Sequence, residues 1–258
     1  MLLQRVKHAL RQCHTLVARW LVAFSARRSI RQARPMRRLS VLWPLAGVAA
    51  GAMAVFVALT IVVTSNPSLA VDSRAFRIAN ELRTPALDHA ARIVTTLGLF
   101  VIVGPVLLIG AALLIRRQRR VRAASLLIGA ALAWISVWIT KAAVDRARPP
   151  APLVHTSGQS YPSGHAANSV GYLALAIALT VAVSSRIGRI AAVAAGALLT
   201  VLVGLSRIYL RAHYASDVIA GEALATAMYA LATIGTLAWQ KRGHSPGKAS
   251  ASLQAGGA

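Results

Sequence analysis

The sequence predicts an all-α fold, an integral membrane bundle of six transmembrane helices. Three observations lead there. Hydrophobic residues make up 57% of the 258 residues and charged residues only 14%, with mean hydropathy +0.61. An ordinary soluble domain is about half apolar and about a quarter charged. The apolar residues gather into stretches of roughly 20 that carry almost no charge, the length a bilayer requires. The basic residues sort to one side of those stretches. Together these exclude a typical soluble enzyme, a disordered chain and a disulfide scaffold. The lone Cys13 can form no internal bridge.

Residues 1–40 come first and hold ten basic residues and no acid. Leu10, Val17, Trp20, Leu21 and Phe24 lie between the charges. That pattern suits a helix on an anionic membrane surface, or equally a solvated cytoplasmic tail. Nothing in it resembles a nucleic-acid reading module, so no nucleic-acid partner is expected. Six apolar stretches follow, near 41–63, 94–115, 123–143, 165–183, 190–207 and 216–238. At about 1.5 Å per residue each crosses about 30 Å of hydrocarbon, allowing for tilt. The first is too long for the core of a cleaved signal, even with Ser68-Leu69-Ala70 behind it, and reads as a retained anchor. Between the first two, Thr64 to Thr95 mixes Phe76, Ile78 and Leu82 with Arg74, Arg77 and Glu81, bounded by Pro67 and Pro85. One or two short amphipathic helices at the outer interface are expected there. The resulting division is a basic cytoplasmic segment 1–40, a membrane domain 41–240 and a disordered cytoplasmic tail 241–258 rich in Gly, Ala and Ser.

Orientation follows from the Lys/Arg bias. With the amino terminus in the cytoplasm, the inner segments hold 20 of the 29 basic residues, and all six acids fall on the outer half. The net charge of +23 is then mostly topogenic. Both termini are expected inside.

That topology, set without regard to chemistry, collects an unusual group at the outer ends of spans three to six. Lys141 closes span three, and Arg148-Pro149 follows. Pro162-Ser163-Gly164-His165 opens span four, Ser206-Arg207 closes span five, and His213 and Asp217 open span six. Lys141, Arg148 and Arg207 bring cations to one place; Arg presents paired donors that suit phosphate oxygens. Ser163 and Gly164 stand at a helix amino end, whose N–H groups and dipole favour an anion. His213 and Asp217 are spaced i, i+4 and share a helical face. A carboxylate on one ring nitrogen raises the basicity of the other, as a nucleophilic histidine needs. His165 has no such carboxylate and is placed to protonate a leaving oxygen. Each residue has a plainer reading: Lys141 and Arg207 as interfacial anchors, Arg148, Pro149 and Pro162 as loop residues, Ser163 as an N-cap, His165 as an interfacial histidine, His213 and Asp217 as a structural pair. None of these explains why all fall on one side.

Lys141-x6-Arg148-Pro149, Pro162-Ser163-Gly164-His165 and Ser206-Arg207-x5-His213-x3-Asp217 resemble the type-2 phosphatidic acid phosphatase superfamily, whose site is shared with vanadium haloperoxidases. Eleven positions match in order and spacing. The likeness spans roughly 64–238. It implies six helices and a lumenal or periplasmic site, with His213 as nucleophile, Asp217 as its partner and His165 as general acid. It implies Lys141, Arg148, Ser163, Gly164 and Arg207 as phosphate ligands, and no metal or other cofactor. The sequence also lacks carboxylates or thiolates at ligand spacing.

The expected protein is therefore a metal-independent lipid phosphatase in the inner membrane of a bacterium. Its expected partner is a phosphorylated lipid: undecaprenyl diphosphate first, then phosphatidic acid or phosphatidylglycerol phosphate. A lipid phosphotransferase and a non-catalytic phospholipid transporter are the rivals; the known haloperoxidases are soluble. Less is expected of Asp145 and Arg146, which pair locally or line the entrance, and of His155 and Tyr161, which flank the motif loop and read as plain loop residues ahead of substrate contacts. Glu222 is an ionisable group within span six, off the Asp217 face. Gly47-x3-Gly51 is a weak helix-packing signal.

Overall fold

The computed structural model describes residues 35–66 and 69–242. The membrane-surface reading of residues 1–34, Pro67 and Ser68, and the tail beyond 242 lie outside the described residues. The chain divides into two compact units, Met1–Pro44 and Leu45–Ala258. The second contains the site and is described below.

Eight α-helices make up the described residues, and no strand occurs among them: α1 Pro35–Ser65, α2 Ala70–Glu81, α3 Pro85–Thr96, α4 Phe100–Arg116, α5 Arg120–Val144, α6 Gly164–Leu179, α7 Arg186–Tyr209 and α8 Ala215–Arg242. Five stretches are long and apolar enough to cross a bilayer: Val41–Ser65, Arg120–Val144, Gly164–Ala182, Arg186–Tyr209 and Ala215–Lys241. α3 and α4 make a sixth when taken together as one span, bent by 51° at the break between them. Exposed Leu108, Ile109, Ile139 and Ile190 would be an aggregation hazard on a soluble protein. On an integral membrane protein they face lipid.

Within the bundle α8 lies along α5 and α6, and α7 lies along α6. Leu107, Leu114 and Leu126 form one buried cluster, joined by Tyr172, Leu175 and Tyr229. Ala133, Val137, Ala167, Val170 and Leu224 form a second beneath the site. Gly47 and Gly51 take no part in close packing, since a Cβ at either meets nothing within 4 Å.

The stretch expected as the second span near 94–115 is interrupted at Leu97–Leu99, and the reason is local. A break in a helix frees carbonyls that hydrocarbon cannot satisfy. Here α6 satisfies them: Tyr172 Oη donates to Leu97 O at 2.7 Å and Asn168 Nδ2 to Gly98 O at 3.1 Å. Gly98 lies so close to α6 that a Cβ there would stand 2.8 Å from His165 Cβ. The break thus lets the α3–α4 corner press against a candidate catalytic residue. The Thr64–Thr95 segment forms two short helices, as its mixed pattern suggested, with Pro85 opening the second and Thr84 capping it.

Candidate active site

The site lies where the C-terminal ends of α5 and α7 meet the N-terminal ends of α6 and α8. Two turns in the left-handed region aim its loops. Asp145 ends α5 at φ 47°, a conformation that Asp tolerates better than most residues, and turns the chain toward Arg146 and Arg148. Arg211 at φ 52° ends α7 similarly. Arg207 O then accepts from both Ala212 N (3.0 Å) and His213 N (3.2 Å), which folds His213 back over the helix end.

His213 and Asp217 are buried, at 2% and 0% exposure. His213 Nδ1 lies 3.4 Å from Asp217 Oδ2. His213 Nε2 lies 3.3 Å from Arg148 NH1. Arginine has no acceptor, so Nε2 is the acceptor and the ring proton sits on Nδ1, toward the carboxylate. Burial pushes His213 down to about 4, against the pull of Asp217, with Arg207 and Arg148 adding to the fall. The imidazole is therefore neutral at neutral pH, with its Nε2 lone pair facing the cations.

Arg148 is held on every nitrogen. Nε donates to Gly158 O (2.9 Å), NH2 to Ser157 O (2.7 Å) and NH1 to Ala212 O (2.9 Å). Burial lowers its pKa without removing its charge. Lys141 Nζ donates to Gln159 O at 2.6 Å. Arg207, buried, donates through NH1 to Thr95 Oγ1 at 2.7 Å. Ser163 is the N-cap of α6, its Oγ accepting from Ala166 N, and Gly164 is the first residue of that helix. Gly221 of α8 packs against this cap: a Cβ there would stand 2.5 Å from Ser163 O. Arg207, His213, Arg148 and Lys141 all act electrostatically on His165. The structure thus brings Lys141, Arg148, Arg207, His165, His213 and Asp217 within electrostatic reach of one another, with Ser163 and Gly164 at the amino end of α6.

Several participants lie outside the motifs. Asp217 also receives Ser160 Oγ and Tyr214 N (3.0 Å) on Oδ2, and Arg146 NH1 (2.6 Å) on Oδ1. Arg146 turns inward to carboxylates distant in sequence. It is 7% exposed and lies 2.9 Å from Asp72 of α2. A buried guanidinium needs carboxylates, and two are available inward. Tyr161 holds α1 rather than substrate, its hydroxyl 2.8 Å from Thr60 Oγ1 and its ring stacked 6.3 Å from Phe56. Burial raises its phenol to about 12. His155 is exposed. Glu222 fits into the space left by Gly204 of α7, where a Cβ would stand 2.5 Å from its Oε1. Among the described residues no three His, Cys, Asp or Glu side chains stand together as a metal-ligand set.

Comparison with known proteins agrees with this geometry. The model of the PAP2 superfamily matches residues 122–241, which contain every motif residue from Lys141 to Asp217. The chain is 29% identical over 181 residues to phosphatidylglycerophosphatase B of Bacillus subtilis strain 168, covering 68% of this chain and 88% of that one. It superposes on the crystal structure of a transmembrane PAP2-type phosphatidylglycerolphosphate phosphatase from Bacillus subtilis with TM-score 0.66 at 25% identity, covering 75% of this chain and 96% of that one. Aquifex aeolicus LpxE shares the fold, with TM-score 0.53 at 23% identity over 64% of this chain and 96% of that one. Residues 122–241 match the PAP2 superfamily, and the chain is similar to membrane lipid phosphatases of the PAP2 type.

Proposed function

We propose that the chain hydrolyses the phosphate ester of a membrane lipid through a phosphohistidine on His213. The observation that carries this reading is the 3.3 Å approach of Arg148 to His213 Nε2, on a ring whose other nitrogen faces Asp217. Arg148, Lys141, Arg207 and the amino end of α6 hold the phosphoryl oxygens, with Ser163 and Gly164 at that end. His213 Nε2 attacks phosphorus, and the ester P–O bond breaks as His165 gives its proton to the leaving alcohol. Water then attacks phosphorus, the P–N bond breaks, His165 takes the water's proton and phosphate departs. Spread of charge over the equatorial oxygens is what the cations stabilise. No step calls for a metal.

The name of the Bacillus relative supports phosphatidylglycerol phosphate as the first substrate to test. Undecaprenyl diphosphate, favoured by the sequence reading, is the second candidate. The Lys/Arg bias supports cytoplasmic termini and a site on the outer, periplasmic side of a bacterial inner membrane. The test is phosphate release by purified protein in detergent, with chelator, from phosphatidylglycerol phosphate, phosphatidic acid and undecaprenyl diphosphate. Release from a lipid that is lost in His213→Ala supports the reading. Full release by His213→Ala, or strict metal dependence, rejects it. Water must also be the acceptor: transfer of phosphate to an added alcohol in place of release would make the protein a phosphotransferase.

A further inference from the structure

Arg146 belongs to none of the motif positions, yet it is buried beside the site and paired with two carboxylates. NH1 donates to Asp217 Oδ1 at 2.6 Å and to Ser216 Oγ at 2.7 Å. NH2 donates to Asp72 Oδ2 at 2.9 Å. The guanidinium lies 4.0 Å from the centre of the Tyr214 ring. Asp72 is itself fixed, accepting from Ser216 N and Ser216 Oγ, each at 2.9 Å. The result is a closed unit tying α2, the loop after α5 and the start of α8.

The unit has one consequence for the chemistry. Asp217 Oδ2 serves Ser160, Tyr214 N and His213, so orientation of the carboxylate depends on what holds Oδ1. Arg146 holds it, and Asp72 holds Arg146. The side chain of Arg146 is only 5% exposed and the mechanism above sends no substrate atom to it. A lysine at this position has one nitrogen and cannot reach Asp217 and Asp72 with two donors in a fixed fork. We propose that Arg146, braced by Asp72, is a positioning residue that fixes the Asp217 carboxylate against His213. This rests on the reading of His213 as nucleophile.

The charge environment gives the sign of the effect. His213 is faced by Asp217 of α8, Arg148 of the loop, Arg207 of α7 and His165 of α6; Asp217 is faced by Arg146, Lys141 of α5, Tyr161 and Tyr214. Removing the Arg146 cation takes a positive charge from between Asp72 and Asp217. His213 then holds a proton more readily, and the acid limb of kcat/KM moves to higher pH.

The experiment compares wild type, Arg146→Gln, Arg146→Lys, Asp72→Asn and His213→Ala on phosphatidic acid in mixed detergent micelles. Expected for Arg146→Gln is a fall in kcat of about 100-fold, KM within about threefold, and an acid limb raised by about one pH unit. Arg146→Lys should shift both in the same direction by less, and Asp72→Asn should lower kcat by less than Arg146→Gln without raising the limb. Combining Asp72→Asn with Arg146→Gln should cost little beyond Arg146→Gln alone, because the two act as one unit. Unchanged kcat and limb in folded Arg146→Gln would overturn the proposal, as would a raised KM at unchanged kcat. Should Arg146→Gln not fold, wild-type kcat and limb in both Arg146→Lys and Asp72→Asn overturn it equally. Turnover by His213→Ala would reject the nucleophile reading; an inactive His213→Ala beside an unaffected Arg146→Gln would reject only this inference.

Discussion

Asp217 Oδ2 stands 3.4 Å from His213 Nδ1, one helical turn away, with both side chains removed from solvent. The pair fixes which ring nitrogen is free. Because Nδ1 faces the carboxylate, Nε2 is left toward Arg148 and the pocket. The predictions below follow from that orientation and from the groups that maintain it.

The nucleophile must be unprotonated to attack. Burial holds His213 near 4, below its ordinary value of about 6.5. The acid limb of kcat/KM should therefore fall near pH 4 to 5, once ionisation of the substrate phosphate near pH 6 is allowed for. A pH–rate profile on the detergent-solubilised protein checks this. A limb at 6.5 or above would place the titrating group elsewhere.

His165 is assigned the leaving-group proton. His165→Ala should then depend on what leaves. A lipid alkoxide needs the proton, and its release should slow by about 100- to 1,000-fold. An aryl phosphate with an acidic phenol does not, and formation of the phosphoenzyme from it should be nearly unaffected. Rapid-quench measurement of the first turnover with both substrates separates the cases.

Arg148 closes its loop through Ser157, Gly158 and Ala212 carbonyls while facing His213. Arg148→Lys keeps the charge and loses the fork. It should lower kcat/KM by about 100-fold and weaken competitive inhibition by inorganic phosphate, where a point charge alone would have sufficed. Inhibition constants measured beside kcat/KM test it.

Gly221 is a steric requirement. A Cβ would stand 2.5 Å from Ser163 O, a backbone atom with little freedom to move. Gly221→Ala should destabilise the fold by about 1–3 kcal/mol and displace the α6 cap that carries Ser163. A lowered apparent Tm with reduced kcat is the expected result.

Most of the fold was legible because hydrocarbon sets a hard rule: a crossing helix needs a run of about 20 apolar residues. The bend at Leu97–Leu99 was not, since it depends on Tyr172 and Asn168 reaching back about 70 residues to its carbonyls. The motif residues were legible as a group because alternating spans put Lys141, His165, Arg207 and Asp217 at one end. Their support was hidden for a different reason. Asp72 looked like an ordinary acid on an amphipathic helix, and its bond to Arg146 spans 74 positions. Ser160 sits two residues before the Pro162 motif, where nothing local marks it as a partner of Asp217.

The central claim is that a phosphoryl group passes through His213. Quenching the enzyme in alkali during turnover of a radiolabelled phospholipid, followed by peptide mapping, measures this directly. The account predicts alkali-stable, acid-labile label on the peptide containing His213, absent from His213→Ala. Label on another residue, or none while His213→Ala turns over normally, would contradict it.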